Sequence, residues 1–321
     1  MEVGQSMKGP PHITRPHSKV LDVAEAIRLA PDKMEAAFMA RQLVQATLPH
    51  KNPGDVPLWS RTNGNLTLAI QPGMNIETRK SYGYPYGIIP RLLLFWITTE
   101  ATRTKTPRLE LGNNLAAFMR QLGLDPATGR GKRSDAVRLR DQMQRLFQAR
   151  ISFQQEREEN GRKGEAWVNM EVAPKGVLWW DEKQPEQQTF WKSWIQLGED
   201  FFAAITAAPV PVDMRALQAL KRSPLALDLY AWATYTAYRT QKTGYSRRVS
   251  WELLHQQFGA EYNRLDNFQA KAWAALRKIK AVYPELAIER EHGGVRVLPC
   301  NPALPMKAKR SPSGEEKRYP R

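Results

Sequence analysis

Apolar residues recur along this chain at two spacings, in threes and fours in some stretches and at alternate positions in others, and the changes between them mark out its elements. Residues 1–30 carry prolines and polar side chains with neither spacing, which predicts a disordered N-terminal segment. An amphipathic helix is expected over "PDKMEAAFMARQLVQATL", capped by Asp32 and stopped by Pro49. The run from His50 to Asn63 reads as loop, and the alternating "NLTLAI" as a strand closed by Pro72 and Gly73. "YGIIPRLLLFWITTEATRT" is apolar on most sides of a helix, so it predicts a helix buried in a core.

A strand at Arg108 to Leu111 and a helix from Asn113 to Leu122 follow, then a loop in which Gly129 and Gly131 permit tight turns. From Ser134, a plausible N-cap, Val137, Arg140, Met143 and Leu146/Phe147 recur at helical spacing. Two alternating runs between Ile151 and Val172 predict a β-hairpin with a basic Gly-Arg-Lys-Gly tip. Strand, helix, turn, helix and ribbon is the order of a winged helix-turn-helix module.

The same order returns downstream. A buried helix precedes a strand at Arg247 to Ser250, a helix from Trp251 to Phe258, a long helix from Asp266 to about Val282, and two strands around His292-Gly293-Gly294. Arg103-Thr104 aligns with Arg239-Thr240, Phe118 with Leu254, and Leu122-Gly123 with Phe258-Gly259, each 136 residues apart. The stretch from Val177 to Ile205 reads as an extra strand pair and short helix closing the first module, with Pro209 to Pro211 opening the crossover. The expected fold is α+β: two tandem winged helix-turn-helix domains with flexible basic termini. Residues 31–208 form the first domain, for self-association and DNA backbone contact. Residues 209–300 form the second, for specific DNA binding, and 301–321 a disordered basic tail.

Charge then narrows the partner. The 48 lysines and arginines exceed the 32 acids by 16, which predicts attraction to a polyanion, with nucleic acid the first candidate. Between Ala101 and Arg150, 11 basic residues face four acids, nearly half of that whole excess. The longest apolar stretch is interrupted by Pro90 and Arg91 and is too short to span a bilayer, so a cytoplasmic protein with no membrane partner is expected. One cysteine, Cys300, and five scattered histidines give no disulfide and no zinc-ligand spacing. No metal and no cofactor are expected.

The second helix of such a module enters the major groove, so its outward side chains are the candidate DNA contacts. In the first module these are Lys132, Arg133, Arg138 and Arg145, with Arg162 and Lys163 at the hairpin tip. In the second they are Arg264, Asn267, Gln269 and Lys271 at the start of the long helix, and Arg277 and Lys278 further along it. Arg247 and Arg248 on its strand, and His292 and Arg296 on its ribbon, complete the set. Asn113-Asn114 reads as a helix cap rather than a base reader. The tryptophans read as core and strand residues rather than a stacking platform, and His255 as a surface residue rather than a catalyst.

No catalytic set is present. "GRGKRS" lacks the first glycine of a phosphate loop, Pro126 standing in its place. No two histidines are close enough for a His-x-His metal pair, and the acids at 156, 158, 159, 181 and 182 fall in expected loops. Three readings follow: a non-enzymatic origin-binding initiator, a transcriptional repressor built on the same modules, and a metal-dependent nuclease or recombinase.

Three runs favour the first. Aromatic-Gly-x-Ile-Pro-Arg-Leu-Leu-Leu at Tyr86 to Leu94, Thr-x-Ala-x-Arg-Thr-Lys at Thr99 to Lys105, and Leu-Arg-Asp-Gln-Met-x-Arg-Leu-Phe at Leu139 to Phe147 resemble bacterial plasmid replication initiators of the RepA family. About a fifth of the chain, Tyr86 to Phe153, carries the resemblance. It implies double-stranded DNA with repeated origin sites as the partner, strand opening nearby, and recruitment of the host initiator and replicative helicase. It also implies a first module used for self-association, which ranks Arg264 to Lys278 first for specificity.

Overall fold

The computed structural model describes residues 15–29, 36–128, 131, 134–179, 192–259 and 262–304, with the side chains of α1 described from Val20 onward. The outer parts of both expected tails, 1–14 and 305–321, lie outside these residues, as do Lys132 and Arg133. The chain opens with helix α1 (Arg15–Leu29), strand β1 (Ala36–Met39), short helix α2 (Arg41–Gln45), strands β2 (Trp59–Asn63) and β3 (Leu66–Gln71), and a small ribbon of β4 (Met74–Asn75) and β5 (Lys80–Ser81). Next come α3 (Ile88–Thr104), β6 (Arg108–Glu110), α4 (Leu115–Gln121), α5 (Asp135–Phe147), β7 (Arg150–Glu159), β8 (Arg162–Glu171), β9 (Lys175–Val177), β10 (Trp194–Gln196) and α6 (Glu199–Ala207). The last part is β11 (Val210–Asp213), α7 (Met214–Leu220), α8 (Pro224–Thr243), β12 (Arg247–Ser250), α9 (Trp251–Phe258), α10 (Leu265–Val282), β13 (Ile288–Glu291) and β14 (Gly294–Val297). The fold is α+β, and each ladder is antiparallel.

Local chemistry explains the helix starts. Asn114, Ser134, Ser223 and Ser250 each accept a backbone N–H of the first turn of α4, α5, α8 and α9, which satisfies a donor the helix itself cannot. Asn114 is thus the cap the sequence suggested. Helices α3 and α8 begin 136 residues apart, at Ile88 and Pro224, and α4 and α9 do the same at Leu115 and Trp251. The sheets diverge. Strand β12 pairs with β14 of its own ribbon, giving the order β12-β14-β13, whereas β6 pairs with β10 in β6-β10-β9, and the β7-β8 ribbon extends β2-β3. Strands β9 and β10 and helix α6 are the expected extra elements that close the first half.

Four expectations are corrected. Residues 15–29, placed in a disordered N-terminal segment, form α1; Val20 and Ala24 are buried and Val23 and Ile27 partly so, and this stripe packs on α7 and α10. The expected first helix is instead strand β1 followed by the five residues of α2, because Ala36 to Met39 pair with Asp213 to Val210 of β11. Cross-strand pairing to a partner some 170 residues away overrides helix propensity. Trp59 to Asn63, expected as loop, is β2, paired with β3. The hairpin turn also sits earlier than the sequence suggested. Asn160 and Gly161 occupy the left-handed region (φ 52° and 74°), as a two-residue turn between twisted strands requires, and they set Glu159 opposite Arg162.

The two halves share one core. Their buried apolar side chains form a continuous cluster, and β1–β11 pairing bridges the expected boundary at residue 208. Arg61 of β2 donates to the Gln257 carbonyl of α9 (3.1 Å), while the Gln257 side chain donates to the Val44 carbonyl (2.9 Å). Deepest is Arg91 of α3, 1% exposed, which meets Asp228 of α8 through Nε and Nη2, both at 2.8 Å. Its remaining donors reach the carbonyls of Leu48, Pro49 and Gly87, and His50 Nε2 donates to Asp228 at 2.8 Å. Among the described residues, no helix is long and apolar enough to cross a membrane.

Burial pushes the Asp228 carboxyl up, but the Arg91 charge and the hydrogen bonds of His50 and Arg91 outweigh it and hold the group at about 2. Burial, and then Arg91, hold His50 below its ordinary value against the pull of Asp228, so the fold favours its neutral form. Both groups bind protons more readily in the unfolded chain, so stability falls as pH drops, first below about 6.5 through His50 and then from about 4 to 2 through Asp228. Urea unfolding followed across this range should show that decline, and His50→Gln should remove its upper part. Asp228→Ala leaves the Arg91 cation buried without its carboxylate and should cost about 3–5 kcal/mol at pH 7. The double change Arg91→Met, Asp228→Leu should recover much of that loss.

Candidate nucleic-acid interface

Helix α10 turns Phe268, Ala272, Ala275, Leu276, Ile279 and Val282 into the core. Those positions fix the opposite face. Asn267, Lys271 and Lys278, spaced by four and seven residues, form one exposed stripe, with Ala270 and Arg277 exposed beside it. From Arg264 to Lys280 five cations meet a single acid, Asp266. The turn before α10 is clamped from within: His255 Nε2 donates to the Tyr262 carbonyl (2.8 Å), and the His255 ring packs edge-on against Phe268. His255 therefore serves the joint between α9 and α10.

Gln269 points elsewhere. It lines an open cleft of about 500 Å³ with Trp251 at the start of α9 and with Arg290, Glu291, His292 and Gly293 of the β13–β14 ribbon. The cleft brings the ribbon tip against the first turns of α10, so candidates separated by more than 20 residues converge there. Gly294 lets β14 lie close on β12, since a Cβ there would lie 2.4 Å from the Val249 carbonyl oxygen. Arg248 and Arg296 flank the ribbon and share one acid, Glu291: Arg248 Nε lies 3.3 Å from one oxygen and Arg296 bonds the other. Arg248 also donates to the His292 carbonyl (2.9 Å). These contacts hold exposed Arg248 and half-buried Arg296 beside exposed His292, with Arg247 exposed at the start of β12.

Arg264 stands at the entrance to α10, 78% exposed, and its guanidinium grips Asp266. Nε reaches Oδ1 at 3.0 Å and Nη2 reaches Oδ2 at 2.5 Å, while the Asn267 backbone N–H donates to Oδ1 at 2.8 Å. The Arg264 side-chain bond and the backbone bond hold the Asp266 carboxyl below its ordinary value.

The first half presents a different surface. Arg138 is exposed on α5 and ion-paired with Asp135 at 3.2 Å. Arg145, expected to face DNA, is turned inward: Nε meets Asp141 at 2.9 Å, Nη1 reaches the Tyr84 carbonyl at 3.4 Å, and the guanidinium lies over the Tyr86 ring. With Gln142 accepting the Tyr86 N–H (2.9 Å), these contacts dock α5 onto the start of α3. Two of the runs that carry the RepA resemblance therefore touch each other, and their polar residues build an internal joint. Arg162 and Lys163 are exposed at the hairpin tip, but the tip is not basic. Glu158 faces Lys163, Glu159 faces Arg162, and Glu156 faces Glu165, so with Arg157 the tip carries four acids and three bases.

Sequence reasoning passed over Asp266 and Glu291, the acids that hold exposed arginines, and Arg91, His50 and Asp228. A single ionisable residue inside an otherwise apolar helix, as in "IIPRLLLF" and "PLALDLYAWA", is the signal that could have found the buried pair, because a charge is stable there only when partnered.

Comparison with known proteins now bears on this geometry. No curated protein matches the chain. Among solved structures it is similar to a crystal structure of RctB domains 2–3, at 13% identity over 80% of this chain and 96% of that one, with a TM-score of 0.42. It is likewise similar to a selenomethionine derivative of domains 2 and 3 of RctB, at 12% identity over 79% and 94%, with a TM-score of 0.46. The profile of the family described as plasmid-encoded RepA protein matches residues 84–253, more than half of the chain, from just before α3 to the first residues of α9. The chain belongs to that family, the plasmid-encoded RepA replication initiators.

Proposed function

We propose that this RepA protein binds repeated sites in a plasmid origin through its C-terminal half, opens the strands nearby, and recruits the host initiator and replicative helicase, with no catalysis of its own. The carrying observation is the exposed cationic stripe of α10 beside the arginine-flanked β13–β14 ribbon. In this reading the elements from α3 to β8 and from α8 to β14 act as two winged helix-turn-helix modules on a common core. Helix α10 enters the major groove, where Arg264, Asn267 and Lys271 in its first turns meet base edges. Lys278 and Arg277 further along, with Arg247, Arg248, Arg290, His292 and Arg296 around the ribbon, lie on phosphates or in the adjacent minor groove. Gln269 acts from the cleft between helix and ribbon. Arg138 adds a backbone contact from α5, whereas Arg145 is left out because its guanidinium is engaged inside the protein.

The mixed charge of the first ribbon suits a protein partner better than phosphate. Strand β8 is the outer strand of its sheet, with Trp167 68% exposed, so a second copy of the chain is the partner assigned to this half.

Three outcomes test this reading. Fluorescence titration with origin DNA should give a steeply salt-dependent affinity; Lys278→Ala should weaken binding to all sequences alike and reduce the salt slope by about one, and Asn267→Ala should lose about 1–3 kcal/mol of preference at one adenine. A plasmid carrying only the origin should replicate when the protein is supplied; no replication would remove the initiator role and leave an operator-binding protein. Sedimentation should show a concentration-dependent dimer that Trp167→Asp shifts toward monomer, and an unchanged equilibrium would exclude β8.

A further inference from the structure

The arginine at the head of α10 does not stand alone. A guanidinium has two edges able to make paired hydrogen bonds, a side edge of Nε with Nη2 and an end edge of Nη1 with Nη2. Asp266 takes the side edge of Arg264 with both oxygens, and the backbone N–H of Asn267 pins one of those oxygens at the start of the helix. The carboxylate is thereby fixed to the helix frame and fixes the guanidinium in turn. Three N–H groups remain, two of them forming the end edge, which has no protein partner among the described residues and points away from the acid that holds it. Two of those N–H groups match the spacing of the N7 and O6 acceptors that only guanine presents in the major groove.

We infer that Asp266 is a positioning residue for sequence readout: it holds the end edge of Arg264 out for one guanine of the binding site. This rests on the reading of α10 as the specific DNA-contacting helix and names the base and the residue that selects it. The physical gain is preorganisation. A free arginine samples many rotamers and must lose that freedom on reaching a base, whereas a guanidinium already held by a bidentate carboxylate has given up much of it in the unbound protein. The carboxylate also penalises alternatives. A phosphate approaching the same arginine meets a negative charge 2.5 Å from Nη2, so Arg264 is a poor backbone contact and is biased toward an uncharged acceptor pair. Within the stretch from Arg264 to Lys280 Asp266 is the only acid, and it lies with Arg264 rather than with the lysines further along α10.

The test compares the wild-type chain with Arg264→Ala, Asp266→Asn, Asp266→Ser and the Arg264→Ala, Asp266→Asn double variant in binding selections from a random duplex pool. Affinities are then measured on the selected site and on each single-base change. Wild type should select a guanine that Arg264→Ala no longer distinguishes. Asp266→Asn should lose about 10-fold or more of the preference at that position alone, and should add no further loss in the Arg264→Ala background. Asp266→Ser retains an oxygen for the Asn267 N–H but lacks the second oxygen and the charge, so it should behave as Asp266→Asn. Full guanine preference in Asp266→Ser would show that the acid serves only the helix start and would overturn the inference. Tighter binding of Asp266→Asn to all sequences with guanine preference intact would also overturn it, by showing that the carboxylate merely masks a cation. A wild-type chain that enriches no sequence would remove the DNA-reading function itself, and this inference with it.

Discussion

The whole arrangement turns on a guanidinium and a carboxylate sealed between two apolar helices. Arg91 and Asp228 sit near the starts of α3 and α8, corresponding helices of the two halves, and neither can be buried without the other. Arg91 spends its remaining donors on three carbonyls, two of them in the segment that leads from α2 toward β2, and His50 of that segment closes the far side of the carboxylate. One charged contact therefore fixes α3, α8 and the connecting segment at once. Such a contact adds little net energy over an apolar filling, but it rejects other registers of the two helices, since any slip strands a charge in the core.

From that constraint follows the division of labour between the arginines. Two of the four arginines of the RepA-like runs, Arg91 and Arg145, are engaged internally, one between the halves and one between α5 and the start of α3, while Arg103 and Arg140 are exposed. The exposed cations that lie together are on α10 and around the β13–β14 ribbon, and the family match ends at residue 253, before α10 begins. The stretch that identifies the family thus holds much of the frame, together with Arg138, Arg247 and Arg248, and α10 and the β13–β14 ribbon lie beyond it.

Charge on the surface is finely paired. Arg264 with Asp266, and exposed Arg248 and half-buried Arg296 with Glu291, place an acid beside arginines at both ends of the candidate interface. Exposed pairs of this kind contribute little to stability, so their effect lies in where they hold the guanidinium groups. The hairpin of the first half shows the opposite outcome. Its cross-strand pairs set lysine and arginine against glutamates and cancel the basic tip that counting cations alone suggested.

The sequence alone determined what is local. The Asn114 and Ser134 caps, the two buried helices α3 and α8, the strand Arg247 to Ser250, the helix Trp251 to Phe258 and the ribbon around His292 and Gly293 were all legible, because side-chain periodicity and capping act within a few residues. So was the family, from runs whose residues turned out to pack on one another. Only the tertiary structure decided that Ala36 to Met39 form a strand, that α1 folds onto α7 and α10, that the two halves share a core, and that Arg145 turns inward while Lys271 and Lys278 remain outside. Each of these depends on a partner distant in the chain, and neither spacing nor net charge specifies which partner a strand edge or a guanidinium will meet.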